Sequence, residues 1–235
     1  MSTSSPLAQL IEQVAVNQGI KMTSRYSTSR LPEDQYEPGS NGTVLRNLLG
    51  ITSRAEMEHV EEERFERLMD EAATHFDNDH RFSAQDILWL HKHWLEGVFP
   101  WAGAYRTVNI GKGGFMFAAA AHVPELMQQF ENDQLARLTP CRFEQIEDVV
   151  AALAEVHVEL ILIHPFREGN GRIARLLTVL MALQAGLPPL DFSEIQEAKR
   201  DEYFAAVQAG MDRDYKPMER IFNGVIVRTL ADCRR

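Results

Sequence analysis

The chain has 235 residues, 45% of them hydrophobic and 25% charged. That is the make-up of a soluble globular protein with room for one large domain, or one domain and a small appendage. A formal net charge of -10 and the lack of a basic face argue against nucleic acid as a partner. Cys141 and Cys233 lie far apart, giving neither a disulfide framework nor a cysteine zinc site, which fits a reducing cytoplasm.

The first residues, Met1 to Gly19, lack the basic start and apolar stretch of a secretory signal. The longest apolar run, Leu176 to Leu183, is too short to span a bilayer, so no membrane partner is expected. Residues 1–18 read as one short amphipathic helix, with Leu7, Leu10, Ile11 and Val14 at helical spacing. Residues 19–43 are rich in Ser, Thr, Pro, Gly and charge and read as a linker or disordered arm. This divides the chain into an N-terminal helix and arm, 1–43, and a folded domain, 44–235.

From there the pattern is helical. Residues 54–76 form a charge-dense helix with Val60, Phe65, Leu68 and Met69 as inward positions, and Glu61-Glu62-Glu63 as a solvated face. Ser83 is an N-cap for a helix to Glu96 that buries Ile87, Leu88, Leu90 and His91. His91 and His93 are two apart, which puts them on different faces and rules against a metal pair. The extended run Thr107, Val108, Asn109, Ile110, a turn at Gly113-Gly114 and the return Phe115-Met116-Phe117 form one hairpin. Helices follow over 123–137, 143–163 and from Asn170 to Ala185, the last stopping at Gly186 before Pro188-Pro189. Ser193, with Glu194 and Glu197, opens another, and 216–231 is the last. The fold class is all-α: a helical bundle carrying one β-hairpin.

The chemistry concentrates in His164-Pro165-Phe166-Arg167-Glu168-Gly169-Asn170-Gly171-Arg172-Ile173-Ala174-Arg175. Pro165 disfavours helical geometry at His164, so the preceding helix ends there, with His164 held extended at its exit. The next helix starts near Asn170. Its first amides lack partners within the helix and carry partial positive charge, and Gly169 and Gly171 leave the approach open. These features make an anion site. Arg172 and Arg175, three apart, clamp phosphate. Glu168 suits a hard cation such as Mg²⁺ that bridges phosphates, and His164 suits proton removal near neutral pH. Phe166 anchors the loop to the core. His157 reads as a buried, hydrogen-bonded core histidine.

The string matches all eight fixed positions of the Fic-domain signature: His164, Phe166, Glu168, Gly169, Asn170, Gly171, Arg172 and Arg175. Phe99-Pro100-Trp101-Ala102-Gly103, then Arg106-Thr107-Val108-Asn109-Ile110 and Lys112-Gly113-Gly114-Phe115, resemble the approach to that family's target-docking hairpin, or flap. His157 and Tyr203 also look like family positions, and the resemblance covers about residues 44–230.

The resemblance implies an enzyme that transfers AMP from ATP to a Tyr, Thr or Ser hydroxyl of a target protein, possessing the character of a toxin or effector. It implies His164 as base and Glu168 as holder of Mg²⁺. It implies Gly169, Asn170 (amide included) and Gly171 as the phosphate cradle, and Arg172 and Arg175 as clamps on the leaving phosphates. Phe166 and Tyr203 join the ATP-binding set. Thr107 to Ile110 and Lys112 to Phe115 would add a target segment as an extra strand. Two alternatives stay open: the same fold moving another nucleotide or phosphate-containing group or removing AMP, and a silent module that docks partners through the flap. The family's inhibitory helix has Thr52-Ser53-Arg54-Ala55-Glu56 as its nearest match, but Met57 stands where Gly or Asn belongs. That leaves room for a separate small antitoxin-like inhibitor protein. The expected location is the cytoplasm, or a host cell reached without a conventional signal peptide.

Overall fold

A computed structural model describes residues 31–193, 195 and 200–233. The N-terminal helix expected over 1–18, with Glu194 and Glu197, lies outside the described residues. Seven helices and one two-stranded hairpin make up the described fold, in agreement with the expected class.

Helix α1, Arg54–His75, starts at Ser53, whose side chain accepts from the Glu56 amide at 3.4 Å. Its buried face is Met57, Glu61, Leu68 and Ala72. Met69, expected inward, is 40% exposed, because it lies one position past that stripe. Helix α2, Ala84–Leu95, opens with a reciprocal capping box between Ser83 and Asp86 and buries Ile87, Leu90, His91, Trp94 and Leu95. Helix α3, Val123–Phe130, has Pro124 in its first turn. It runs into a π-helical turn at Glu131–Leu135 and a last turn at Ala136–Leu138, so the expected helix over 123–137 is interrupted.

Helix α4, Ile146–Ile163, is the axis of the molecule. It is apolar nearly all round because α3, α5, Asn170–Gln184, α6, Arg200–Ala209, and α7, Lys216–Asp232, all pack on it. Helix α5 ends as predicted at Gly186, where Leu187 N–H donates to Ala182 O at 3.0 Å and Gly186 N–H to Leu183 O at 2.9 Å. Helix α2 lies against α1 and α5, so the loop between α4 and α5 sits at the centre of the bundle's contacts.

The hairpin is β1, Gly111–Lys112, paired antiparallel with β2, Phe115–Met116. Gly113 and Gly114 both have positive φ, 59° and 86°, as a two-residue turn matched to strand twist requires. The pairing is shorter than expected: Thr107–Ile110 precedes it, with Val108 and Ile110 buried against Phe117 in a small core of their own.

Residues 31–43 are not the arm that their composition suggested. Pro32–Asp34 form a helical turn, Tyr36 bridges to Leu45, and Asp34 is buried. Two acidic residues there make specific bonds, Glu33 with Thr107 and Asp34 with Arg167. Among the described residues, no helix is long and apolar enough to cross a membrane.

Candidate active site

His164 ends α4 in the left-handed conformation, φ 52° and ψ 61°, not the extended one that Pro165 predicts. Three bonds over-determine it. Its amide donates to Leu160 O at 3.0 Å, the Arg106 guanidinium holds its carbonyl at 2.7 Å, and the Arg106 amide donates to Pro165 O at 2.9 Å. Its Nδ1 lies 3.0 Å from Ile161 O, an acceptor only, so Nδ1 carries the proton and the Nε2 lone pair is left bare. The ring lies flat on Phe117, with centroids 3.6 Å apart. Burial, above all, pushes the imidazole pKa down to about 3, with Arg106 and Lys112 adding to the fall.

The loop after His164 is stapled by side chains. Asn170 Oδ1 accepts from Phe166 N–H and its Nδ2 donates to Phe166 O, both at 2.8 Å. The Asn170 side-chain amide therefore closes the loop. Phe166 is fully buried and stacked on His91 at 3.8 Å, so it anchors the loop. His91 Nδ1 accepts from Gly103 N–H at 2.9 Å, which leaves Nε2–H to donate to Glu168 O at 3.2 Å. Gly169 has φ 87°, and a Cβ there would stand 2.4 Å from the Trp94 ring, so only glycine fits. Arg167, fully buried, pairs with Asp34 at 2.8 Å.

These elements enclose a cavity of about 670 Å³, within the range of small-molecule sites. His164, Glu168, Gly169, Asn170, Gly171, Arg172, Arg175, Tyr203, Lys112, Gly113 and Phe115 all line it. Thr107, Val108, Asn109, Ile110, Gly114 and Phe166 do not. The start of α5 brings the Asn170 and Gly171 backbone to its wall. Tyr203 Oη bonds His157 Nε2 at 2.8 Å, and His157 Nδ1 meets Thr178 Oγ1 at 3.3 Å. Thr178 in turn donates to Ala174 O, so the proton order runs from Tyr203 through His157 to α5. Burial raises the Tyr203 pKa to about 12 and lowers that of His157 to about 3, keeping both neutral.

The spacing of charges missed four residues. Glu61, read as part of a solvated run, is buried, and its carboxylate reaches Arg172 at 2.6 Å. Arg172 also lies over the Trp94 ring at 4.3 Å, and Trp94 Nε1 donates to Glu61 O at 2.8 Å. Glu56, the glutamate of the nearest match to the family's inhibitory helix, is exposed in the first turn of α1. Arg106 and Phe117 support His164. Phe204 of α6 lines the cavity and receives Lys112 at 5.1 Å over its face. Glu168 is the one carboxylate among the described residues lining the cavity, and no cluster of three or more ligating side chains occurs among them. Such a site suits a cation that draws its other ligands from phosphates and water.

The fold is a helical bundle whose hairpin and glycine-bearing loop share one cavity. Residues 81–182 match the model of the Fic/DOC family. It is 28% identical over 198 residues to "Probable protein adenylyltransferase y4lH" of Sinorhizobium fredii, covering 84% of this chain and 92% of that protein. It is 33% identical over 154 residues to "Protein adenylyltransferase Fic" of Drosophila grimshawi, covering 63% of this chain. The chain spans only 28% of the length of that fly protein and 29% of a Culex quinquefasciatus relative. The fold is similar to that of the BepC effector of Bartonella tribocorum, solved with AMPPNP. The TM-score is 0.67 at 21% identity, over 84% of this chain and 98% of that one.

Proposed function

We propose that this protein transfers AMP from ATP to a hydroxyl side chain of another protein. One observation carries the reading: His164, whose Nδ1 is engaged by Ile161 O, lines the same cavity as the first turn of α5, Arg172 and Arg175. A base and an anion site that share one cavity suit attack of a hydroxyl on a phosphate. The names of the relatives support the same reading.

The backbone at Gly169–Gly171 receives the α-phosphate, where amides without helical partners meet negative charge. Arg175 holds the outgoing phosphates, joined by Arg172 once it leaves Glu61. His164 Nε2 takes the hydroxyl proton, and the phosphates beside it raise its low pKa as that charge develops. The hydroxyl oxygen bonds to the α-phosphorus, the α–β anhydride bond breaks, and pyrophosphate leaves. The hairpin presents its edge to an extended segment of the target. Glu168 would hold Mg²⁺, which when bound neutralises phosphate charge.

The test uses purified protein, Mg²⁺ and a lysate with ATP labelled at either the α- or the γ-phosphate. Label passing to protein from the α-phosphate alone is the expected result. Passage from the γ-phosphate alone would make the protein a kinase and end this reading.

A further inference from the structure

Arg106 lies buried beneath the hairpin, and its guanidinium holds four backbone carbonyls. Two belong to opposite arms of the flap: Val108 O, held by Nη1 at 2.7 Å, and Ala118 O, held by Nη2. The other two are at the exit of α4: His164 O, held by Nε at 2.7 Å, and Ile163 O, 3.3 Å from Nη2. The carbonyl it grips on the α4 side is thus that of the residue in left-handed conformation. Phe117 forms a second bridge. It closes the flap's small core with Val108 and Ile110 while its ring lies on the His164 imidazole at 12° between planes. A hairpin of two residue pairs has little stability of its own, so these ties decide where it sits.

We propose that Arg106 and Phe117 are positioning residues that register the hairpin against His164, so that a hydroxyl carried by a docked segment arrives at Nε2. This rests on the AMP-transfer reading. A base must come within about 2.6–3.2 Å of the proton donor, and a misplacement of about 1 Å costs on the order of 10²-fold in rate. Neither residue bonds to Arg172, Arg175 or the start of α5; Arg106 does not line the cavity, and Phe117 lines it with its ring laid on His164, so the Arg172 and Arg175 contacts do not depend on the register.

The wild-type chain, Arg106→Lys and Phe117→Leu are compared for transfer of α-phosphate label to lysate protein, for calorimetric affinity toward ATP with Mg²⁺, and for amide hydrogen exchange. Arg106→Lys keeps the charge but cannot span four carbonyls. The expected result is transfer at least about tenfold slower in each variant, with ATP affinity within about twofold of wild type. A merely structural role would lower affinity and transfer together, and that outcome overturns the proposal. Exchange at the Phe117 and His164 amides reads the register without chemistry, and both should speed at least about tenfold in Arg106→Lys. Unchanged exchange at both overturns the proposal even if wild type proves unable to transfer AMP, a failure that by itself ends only the functional reading. If Arg106→Lys does not fold, Phe117→Leu carries the test, with unchanged transfer as the contrary result.

Discussion

Glu61 Oε2 stands 2.6 Å from Arg172 Nη2, an ion pair between the middle of α1 and the first turn of α5. It engages one of the two motif arginines before any polyphosphate arrives. Burial raises the Glu61 carboxyl pKa, and Arg172 pulls it back down. Glu61→Gln keeps the shape and removes the competing charge. Calorimetry should find ATP bound about five- to tenfold more tightly, roughly 1–1.4 kcal/mol. Unchanged affinity would mean that Arg172 takes no part in holding phosphate.

His164→Ala removes the bare Nε2 and leaves α5 and its arginines in place. Transfer should fall about 10²- to 10⁴-fold, the usual worth of a general base, while ATP affinity holds. An assay that finds transfer undiminished assigns the proton to another acceptor.

The site was legible where its parts are consecutive. His164 to Arg175 spans one helix exit and one helix start, and local rules for both elements apply along the chain. What stayed hidden pairs residues far apart: Glu61 with Arg172, 111 positions away, and Asp34 with Arg167, 133 positions away. Such partners leave no local period. Glu61 did carry a signal, since Met57, Glu61, Leu68 and Ala72 share one face of α1. The triple glutamate obscured it. His164 went wrong for a different reason: the restriction imposed by a following proline is a bias, and the Arg106 bonds outweigh it.

Asp34 and Arg167 form a buried ion pair that fastens residues 31–37 beneath the loop. Breaking one partner strands the other charge out of water, which costs about 3–5 kcal/mol. Asp34→Asn keeps the volume and should lower the melting temperature by roughly 6–12 °C, taking the low end of that cost and about 2–4 °C per kcal/mol. A shift under a degree in thermal melts would return residues 31–43 to the status of a loose arm.

His91, His157 and His164 all have folded pKa values pushed down to about 3, by burial in each case. Unfolded, each titrates near 6.5, so between those values the unfolded chain binds more protons. Stability is then full above pH 6.5 and is lost as pH falls toward 3, by up to about 1.4 kcal/mol per pH unit per histidine. Glu61 and Glu159 act the opposite way, because burial raises their carboxyl pKa values and protonation relieves it. The two carboxylates offset part of the loss from the three histidines. Melting temperatures should drop steadily from pH 7 to pH 5, and a flat profile would place at least one of these histidines in water.

The register of the hairpin tells which amides face outward. With a two-residue turn, Lys112 and Phe115 are the closing bonded pair, and Gly111 and Met116 are the next, non-bonded pair. Phe117 N–H then donates back to Ile110 O at 3.2 Å, which fixes the alternation. On the first arm the outward amides are thus those of Asn109 and Gly111, while Val108 faces in, with its carbonyl held by Arg106. A docked target strand would pair with Asn109 and Gly111. Asn109→Pro removes one outward donor and fixes φ. It should lose at least about tenfold in modification of the target with ATP affinity unchanged, since strand addition depends on main-chain donors. Val108→Pro instead disturbs the flap's own core and should lower the melting temperature as well. If Asn109→Pro folds, binds ATP and modifies the target at the wild-type rate, the outer edge of β1 is not where the target docks.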